Sequence, residues 1–160
     1  MRILVAGIGN VFLGDDGFGV EVVRRLTDGA LGEDVDVIDF GVRGIHLAFE
    51  LADGRYDAAI LVDAVSRGGE PGTLYVIDPD VGADHLAPAV PDAHSLTPDA
   101  VLAWSRTVDA RLPRVVVVGC EPATTAESME LSSPVAESID LAMQMTRALV
   151  SEMKMVAPCA

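Results

Sequence analysis

The first 26 residues are MRILVAGIGNVFLGDDGFGVEVVRRL, and their pattern predicts a strand, a loop and a helix. The apolar run at residues 3–6 has the composition of a strand. Further along, Phe18, Val22 and Leu26 recur at helical spacing and predict an amphipathic helix. The segment between them, residues 7–17, holds four glycines. A strand followed at once by a helix is typical of α/β folds.

Four further strands are predicted after this unit. Residues 35–40, 58–62 and 115–118 are nearly continuous apolar runs, as expected for parallel strands covered on both faces. Residues 73–77 follow the third strand after a loop too short for a helical crossover, so we expect them to turn back as its antiparallel neighbour. The predicted fold is therefore a three-layer α/β fold. It has a mostly parallel five-stranded sheet with one antiparallel strand and helices on both faces.

Three later helices complete the predicted domain. Apolar positions from Ile45 to Leu51 indicate the first, a cap at Thr97 begins the second, and Ser133-Pro134 begins the third. Residues 78–94 are rich in Pro, Asp and Gly and predict a long surface loop of the kind that is often functional. We expect one domain over residues 1–155 and a disordered tail at 156–160.

The composition argues against several classes of function. A net charge of −14 with only 11 Lys and Arg residues is unsuited to a nucleic-acid surface. No apolar run approaches the ~20 residues of a membrane-spanning helix, and the first residues lack the pattern of a secretory signal. Two cysteines, Cys120 and Cys159, are too few for a disulfide framework and are expected to be reduced. We expect a cytoplasmic monomer that binds neither nucleic acid nor membranes.

Acidic residues follow the predicted strands at their carboxyl ends. Open α/β sheets bind ligands beyond these ends. The residues concerned are Asp15 and Asp16 after the first strand, Asp39 in the second, Asp63 after the third and Glu121 after the last. A site that binds a cation or uses carboxylates as acids and bases is therefore expected at this edge.

The first loop partly matches a dinucleotide-binding fingerprint, but two features disagree. Phe12 stands at the third glycine position, and the adjacent aspartates would repel a pyrophosphate. One aspartate can cap the helix, and we assign that role to Asp15. Asp16 is then expected to point into the crevice, with Gly17 and Gly19 allowing close approach of the backbone.

Asp16, Asp63 and His94 form a candidate metal site. Asp63 ends a buried strand, where a carboxylate requires an ion pair, a helix cap or a cation. His94 lies three residues before the predicted cap Thr97, whereas His46 falls in a helix pattern and is expected to be a surface or packing residue. Two carboxylates and one imidazole suit a divalent metal such as zinc or nickel and leave positions open for substrate.

Beyond these single positions, several segments resemble one family, the nickel-iron hydrogenase maturation endopeptidases. The first is RILVAGIGNVFLGDDGFGVEVVRRL. The blocks VIDFGVRG, AILVDAV, PGTLYVIDPD, DAHSLTP and VVVVGCEP follow in the family's order. The resemblance therefore covers roughly residues 1–150.

This resemblance implies an endopeptidase that removes a short C-terminal extension from a hydrogenase large-subunit precursor after nickel insertion. It implies that Asp16, Asp63 and His94 are the metal-binding and catalytic residues. The nickel would be presented by the substrate, and zinc or cadmium would act as surrogates. Asp16 replaces the Glu of some members and is one methylene shorter. Asp39 and Glu121 are further candidates for a general base or for peptide contacts.

Two other functions stay open from the sequence. The first is a non-catalytic chaperone that inspects the nickel site without cutting. The second is a nucleotide-binding module that uses Gly7, Gly9 and Asp39.

Overall fold

The computed structural model describes residues 1–26, 31–78 and 112–156. In chain order, these residues form β1 (Ile3–Ile8), α1 (Phe18–Leu26), β2 (Val35–Gly41), α2 (Gly44–Ala52), β3 (Ala58–Ala64), β4 (Leu74–Ile77), β5 (Arg114–Cys120) and α3 (Ser133–Val156). A 3₁₀ turn, Gly14–Gly17, leads directly into α1. Within these ranges no helix combines the length and apolar character needed to cross a membrane.

The strands form one sheet in the order β2-β1-β3-β5-β4. The first four in this order are parallel, and β4 is antiparallel to β5, so the predicted sheet is confirmed. The sequence predicted that β4 pairs with β3. This prediction was wrong, because β5 lies between β3 and β4. The apolar residues 115–118 of β5 are buried and need a partner strand on each side, whereas Val76 of β4 is 52% exposed and suits an edge.

Within the described residues, the core consists of two apolar clusters, one on each face of the sheet. On one face, Phe18 and Val22 of α1 pack with Ile139 and Val150 of α3. On the other face, the main helical contribution comes from α2. This arrangement confirms the three layers expected from the sequence.

The helices agree with their predicted patterns except in detail. Ile45, which the apolar pattern of α2 included, is 48% exposed and does not belong to the core. In α3 the polar Thr146 is fully buried, and its hydroxyl donates a hydrogen bond to the Ala142 carbonyl at 2.8 Å. The predicted helix from Thr97 lies outside the described residues, as do the loop from residue 79 to His94 and residues 157–160. Helix α3 itself ends at Val156.

Two glycines allow α1 to pack directly on the sheet backbone. A Cβ atom at Gly19 would lie 2.0 Å from the Val62 carbonyl oxygen, and one at Gly7 would lie 2.5 Å from the Gly19 carbonyl oxygen. No side chain fits in either place. The close packing brings the turn Gly14–Gly17 against β3.

Candidate active site at the carboxyl ends of β1 and β3

The site lies where the strand order reverses. From β1 the chain passes through α1 to β2 on one side, and then through α2 to β3 on the other side. Such a switch point leaves a crevice beyond the carboxyl ends of the two diverging strands. Asp16 lies in the turn that follows β1, and Asp63 is the penultimate residue of β3.

Asp63 is a buried carboxylate with few hydrogen-bond donors. It is 4% exposed, and its Oδ1 accepts a hydrogen bond from the Ala64 amide at 2.8 Å. Burial, and next to it the negative charge of Asp16, raise the pKa of Asp63 well above its usual value. Two carboxylates that repel each other in a buried crevice are stabilised by a proton or by a bound cation.

Asp16 is held at the mouth of this crevice by the first loop. Its Oδ2 accepts a hydrogen bond from the backbone amide of Asn10 at 2.6 Å, and Asp16 is half-buried. Gly9 makes this arrangement possible. Its φ is +126°, and a Cβ atom there would lie 1.8 Å from the Asp16 carbonyl oxygen and 3.6 Å from Oδ1 of Asp63. Only glycine fits between the two aspartates, a requirement that no pattern in the sequence indicates.

The neighbouring Asp15 has a different role from the helix cap that we predicted. It is fully buried, and its carboxylate accepts hydrogen bonds from the amides of Ala123 (2.8 Å), Thr124 (3.1 Å) and Ser132 (2.6 Å) and from the Ser132 hydroxyl (2.9 Å). Burial alone would raise the pKa of Asp15, but these hydrogen bonds outweigh burial and lower it. The cap prediction was wrong because the amides that Asp15 satisfies belong to a segment more than 100 positions away.

Glu121 is likewise an anchor. The residue is 5% exposed, and its carboxylate accepts hydrogen bonds from the Arg67 amide (2.7 Å), the Gly68 amide (3.2 Å) and the Tyr75 hydroxyl (2.8 Å). The Arg67 amide is the largest cause of the lowered pKa of Glu121. A carboxylate held ionised in this way is a weak proton acceptor, which argues against Glu121 as a general base.

Asp39 is also engaged. Its Oδ2 lies 3.2 Å from the guanidinium of Arg24, in an ion pair that is partly exposed on both sides. This contact ties β2 to α1. It assigns Asp39 a structural partner and leaves its contact with peptide as a prediction.

The first loop does not have the geometry of a dinucleotide-binding turn. Such a turn passes directly from strand to helix, whereas residues 9–17 separate β1 from α1. Phe12 is 62% exposed within this segment. The nucleotide-binding interpretation is therefore disfavoured.

The third predicted ligand, His94, lies outside the described residues. Among residues 1–26, 31–78 and 112–156, no group of three or more His, Cys, Asp or Glu side chains is arranged to hold a metal ion. The structure thus brings Asp16 and Asp63 together, and the complete trio stays a prediction. His46 is exposed on α2, as expected.

Cys120 is a buried packing residue. It is fully buried, its Sγ lies 3.4 Å from the Ser138 hydroxyl, and burial raises the pKa of its thiol. A thiol of raised pKa is a poor nucleophile. Cys159 lies outside the described residues.

Known proteins match the chain over most of its length. Residues 20–148 match the family model described as hydrogenase maturation protease. The chain is 35% identical over 157 residues to coenzyme F420 hydrogenase subunit delta of Methanothermobacter thermautotrophicus, covering 90% of this chain and 91% of that one. It is 31% identical over 155 residues to the hydrogenase 2 maturation protease of Escherichia coli, covering 95% and 92%. Its fold is similar to the crystal structure of the [NiFe] hydrogenase maturation protease HycI from Thermococcus kodakarensis, with a TM-score of 0.73, 28% identity and coverage of 94% and 92%.

Proposed function

The chain belongs to the hydrogenase maturation protease family, and on that premise we propose that it removes the C-terminal extension of a nickel-iron hydrogenase large-subunit precursor after nickel insertion. The observation that supports this proposal best is the pair of carboxylates at the switch point. Asp63 is buried with one protein hydrogen bond within the described part of the chain, and Asp16 lies near enough to raise its pKa. Two neighbouring carboxylates with few donors of their own suit a cation that arrives with the substrate.

Asp16, Asp63 and His94 are the proposed ligands of the substrate's nickel, and the two aspartates fit this role. Carboxylate oxygens bind divalent metals when deprotonated, so ligation by Asp63 requires that it lose the proton that its raised pKa favours. Metal binding is therefore expected to release protons and to weaken as the pH falls. Zinc or cadmium would serve as surrogates in such an experiment.

The protein's own residues orient these ligands. The Asn10 amide fixes Asp16, the Ala64 amide fixes one oxygen of Asp63, and Gly9 keeps the space between them free of side-chain atoms. A metal bound here would place the extension and polarise its scissile carbonyl or a water molecule. Hydrogen bonds that fix ligand orientation in advance reduce the cost of reaching the reactive geometry.

The test is cleavage of the nickel-loaded precursor, followed by mass spectrometry of its C-terminus. We expect the wild-type protein to shorten the precursor. We expect Asp16→Asn, Asp63→Asn and His94→Ala each to lower the cleavage rate by about 100-fold or more. Changing a residue that only supports a metal ligand already costs up to about 100-fold, and these variants change the ligands themselves. Matched controls are Asp140→Asn and His46→Ala, which alter exposed residues of α3 and α2.

The outcomes separate the protease from its main alternative. A stable complex with uncut precursor would favour the chaperone that inspects the nickel site. Normal cleavage by all three variants would overturn the site assignment while leaving the peptidase function intact.

A further inference from the structure

Two large apolar side chains are exposed on two segments that hydrogen-bond to each other next to the turn Gly14–Gly17. Phe12, in the first loop, is 62% exposed, and Met129, in the segment between β5 and α3, is 76% exposed. We call these two side chains the apolar knob. We propose that the apolar knob docks onto an apolar patch with a basic rim on the hydrogenase large-subunit precursor, beside the bond to be cut; this inference rests on the proposed function.

The backbone beneath the knob is firmly held. The Phe12 amide donates a hydrogen bond to the Asn10 side-chain oxygen (3.0 Å), and the Phe12 carbonyl accepts one from the Ser128 amide (3.0 Å). The Gly14 amide donates to the Ser128 carbonyl at 2.8 Å, which ties the two segments together a second time. Phe12 is thus exposed although its backbone is bonded on both sides.

Met129 is presented in a similar way. The Ser128 hydroxyl accepts a hydrogen bond from the Glu130 amide (3.0 Å) and donates one to the Glu130 carbonyl (3.2 Å), which closes a tight turn around Met129. The buried Asp15 holds the same segment at Thr124 and Ser132. A backbone that is already ordered loses little further conformational entropy on binding, which lowers the cost of docking on these two residues.

Asn10 couples the knob to the candidate active site. Its side-chain oxygen accepts a hydrogen bond from the Phe12 backbone amide, and its own backbone amide donates one to Oδ2 of Asp16 at 2.6 Å. Asn10 therefore holds both the backbone of Phe12 and the side chain of the proposed ligand Asp16. A partner seated on the knob would have its surface next to Asp16.

The charge around the knob indicates the chemistry of the partner. Glu127 and Glu130 are exposed on either side of Met129, Asp16 lies four residues after Phe12, and the whole chain has a net charge of −14. An apolar centre with an acidic rim fits an apolar centre with a basic rim, because like charges at the edge would oppose docking. The association is therefore expected to weaken with salt.

The experiment compares Phe12→Ala and Met129→Ala with Met155→Ala, which removes the same side chain at a similar exposure of 79%. Met155 is near the end of α3, about 33 Å along the helix axis from Ser133, where the helix begins. We expect each knob variant to raise KM for the nickel-loaded precursor by about tenfold, as for a central interface residue, and to leave kcat and the thermal unfolding temperature unchanged. Met155→Ala should match the wild-type protein in all three quantities. The double variant Glu127→Gln/Glu130→Gln should reduce the dependence of KM on salt.

Direct binding of the precursor is measured with the same variants, so that docking is tested apart from cleavage. If the wild-type protein cleaves and Phe12→Ala and Met129→Ala behave like Met155→Ala, the knob is not a docking surface and the proposed function stands. If nothing is cleaved but Kd rises about tenfold in both knob variants alone, the docking surface stands and the peptidase proposal fails. An unchanged Kd in both knob variants overturns the inference in either case.

Discussion

Two pairs of acidic residues at the same edge of the sheet have opposite surroundings. Asp15 and Glu121 each accept at least three hydrogen bonds, and their pKa values are lowered. Asp16 and Asp63 each accept one from the described residues, and the pKa of Asp63 is raised by burial and by Asp16. Burial alone therefore does not distinguish an anchoring carboxylate from a candidate ligand. The number of donors facing the carboxylate does.

The largest effect on stability is expected from removing the anchor at Asp15. Asp15→Ala leaves three backbone amides and one hydroxyl without their acceptor in the protein interior, at about 1–3 kcal/mol for each unsatisfied group. We expect the free energy of unfolding to fall by about 3 kcal/mol or more, measured by urea denaturation at pH 7. Asp140→Ala, at an exposed position of α3, is the control and should change it by about 0.5 kcal/mol or less. Equal losses in the two variants would show that Asp15 is not an anchor.

The case of Asp15 also shows how far the sequence predicts this molecule. Apolar runs predicted the central parallel strands, because a strand buried on both faces has no polar face. Asp63 was found because it ends such a run. The partners of Asp15 could not be found, since no local pattern links it to Ser132, 117 positions away.

The site was predictable to a different extent from the fold. The switch point follows from strand order, which the sequence suggested only in part, since β5 took the position next to β3. The need for glycine at position 9 comes from the close approach of its backbone to that of Asp16. Periodic sequence patterns carry no information about the distance between two such backbone segments. The resemblance of the motifs indicated the family. The hydrogen-bond partners of each carboxylate could be identified only in the folded structure, because they are distant in the sequence.

A change of opposite sign is expected at Asp63. Its pKa is higher in the folded than in the unfolded state, so the native protein binds more protons, and stability falls as the pH rises from about 3.9, the unfolded value, through the raised folded value. Asp63→Asn keeps an acceptor for the Ala64 amide and removes this penalty. In the presence of a metal chelator, we expect the variant to be more stable than wild type by about 1 kcal/mol or more at pH 7, the free energy of one pKa unit.

The pH dependence provides the control for this prediction. Near pH 3 the Asp63 side chain is mostly protonated in the folded and in the unfolded state, so the difference in stability between Asp63→Asn and wild type should largely vanish there. Thermal unfolding at several pH values measures it. A variant that is less stable than wild type at pH 7 would show that Asp63 is satisfied by further donors and belongs with the anchors.

The smallest effect is expected at Glu121, the second anchor. Glu121→Gln keeps one oxygen acceptor but turns the other end into a donor, so at least one hydrogen bond to the Arg67 amide, the Gly68 amide or the Tyr75 hydroxyl is lost. We expect the thermal unfolding temperature to fall by about 2–4 °C at pH 7, the shift that about 1 kcal/mol produces in a domain of this size. Because the pKa of Glu121 is lowered by folding, its contribution is present above the unfolded pKa and is lost as the pH falls through the folded value, so the variant and the wild type should converge in acid. Glu137→Gln, an exposed change on α3, is the matched control.

Cleavage of the precursor should be retained by Glu121→Gln, because Glu121 fixes the position of the loop after β3 and does not act on the reacting bond. A variant that folds normally but fails to cleave would move Glu121 from the anchoring pair to the catalytic pair.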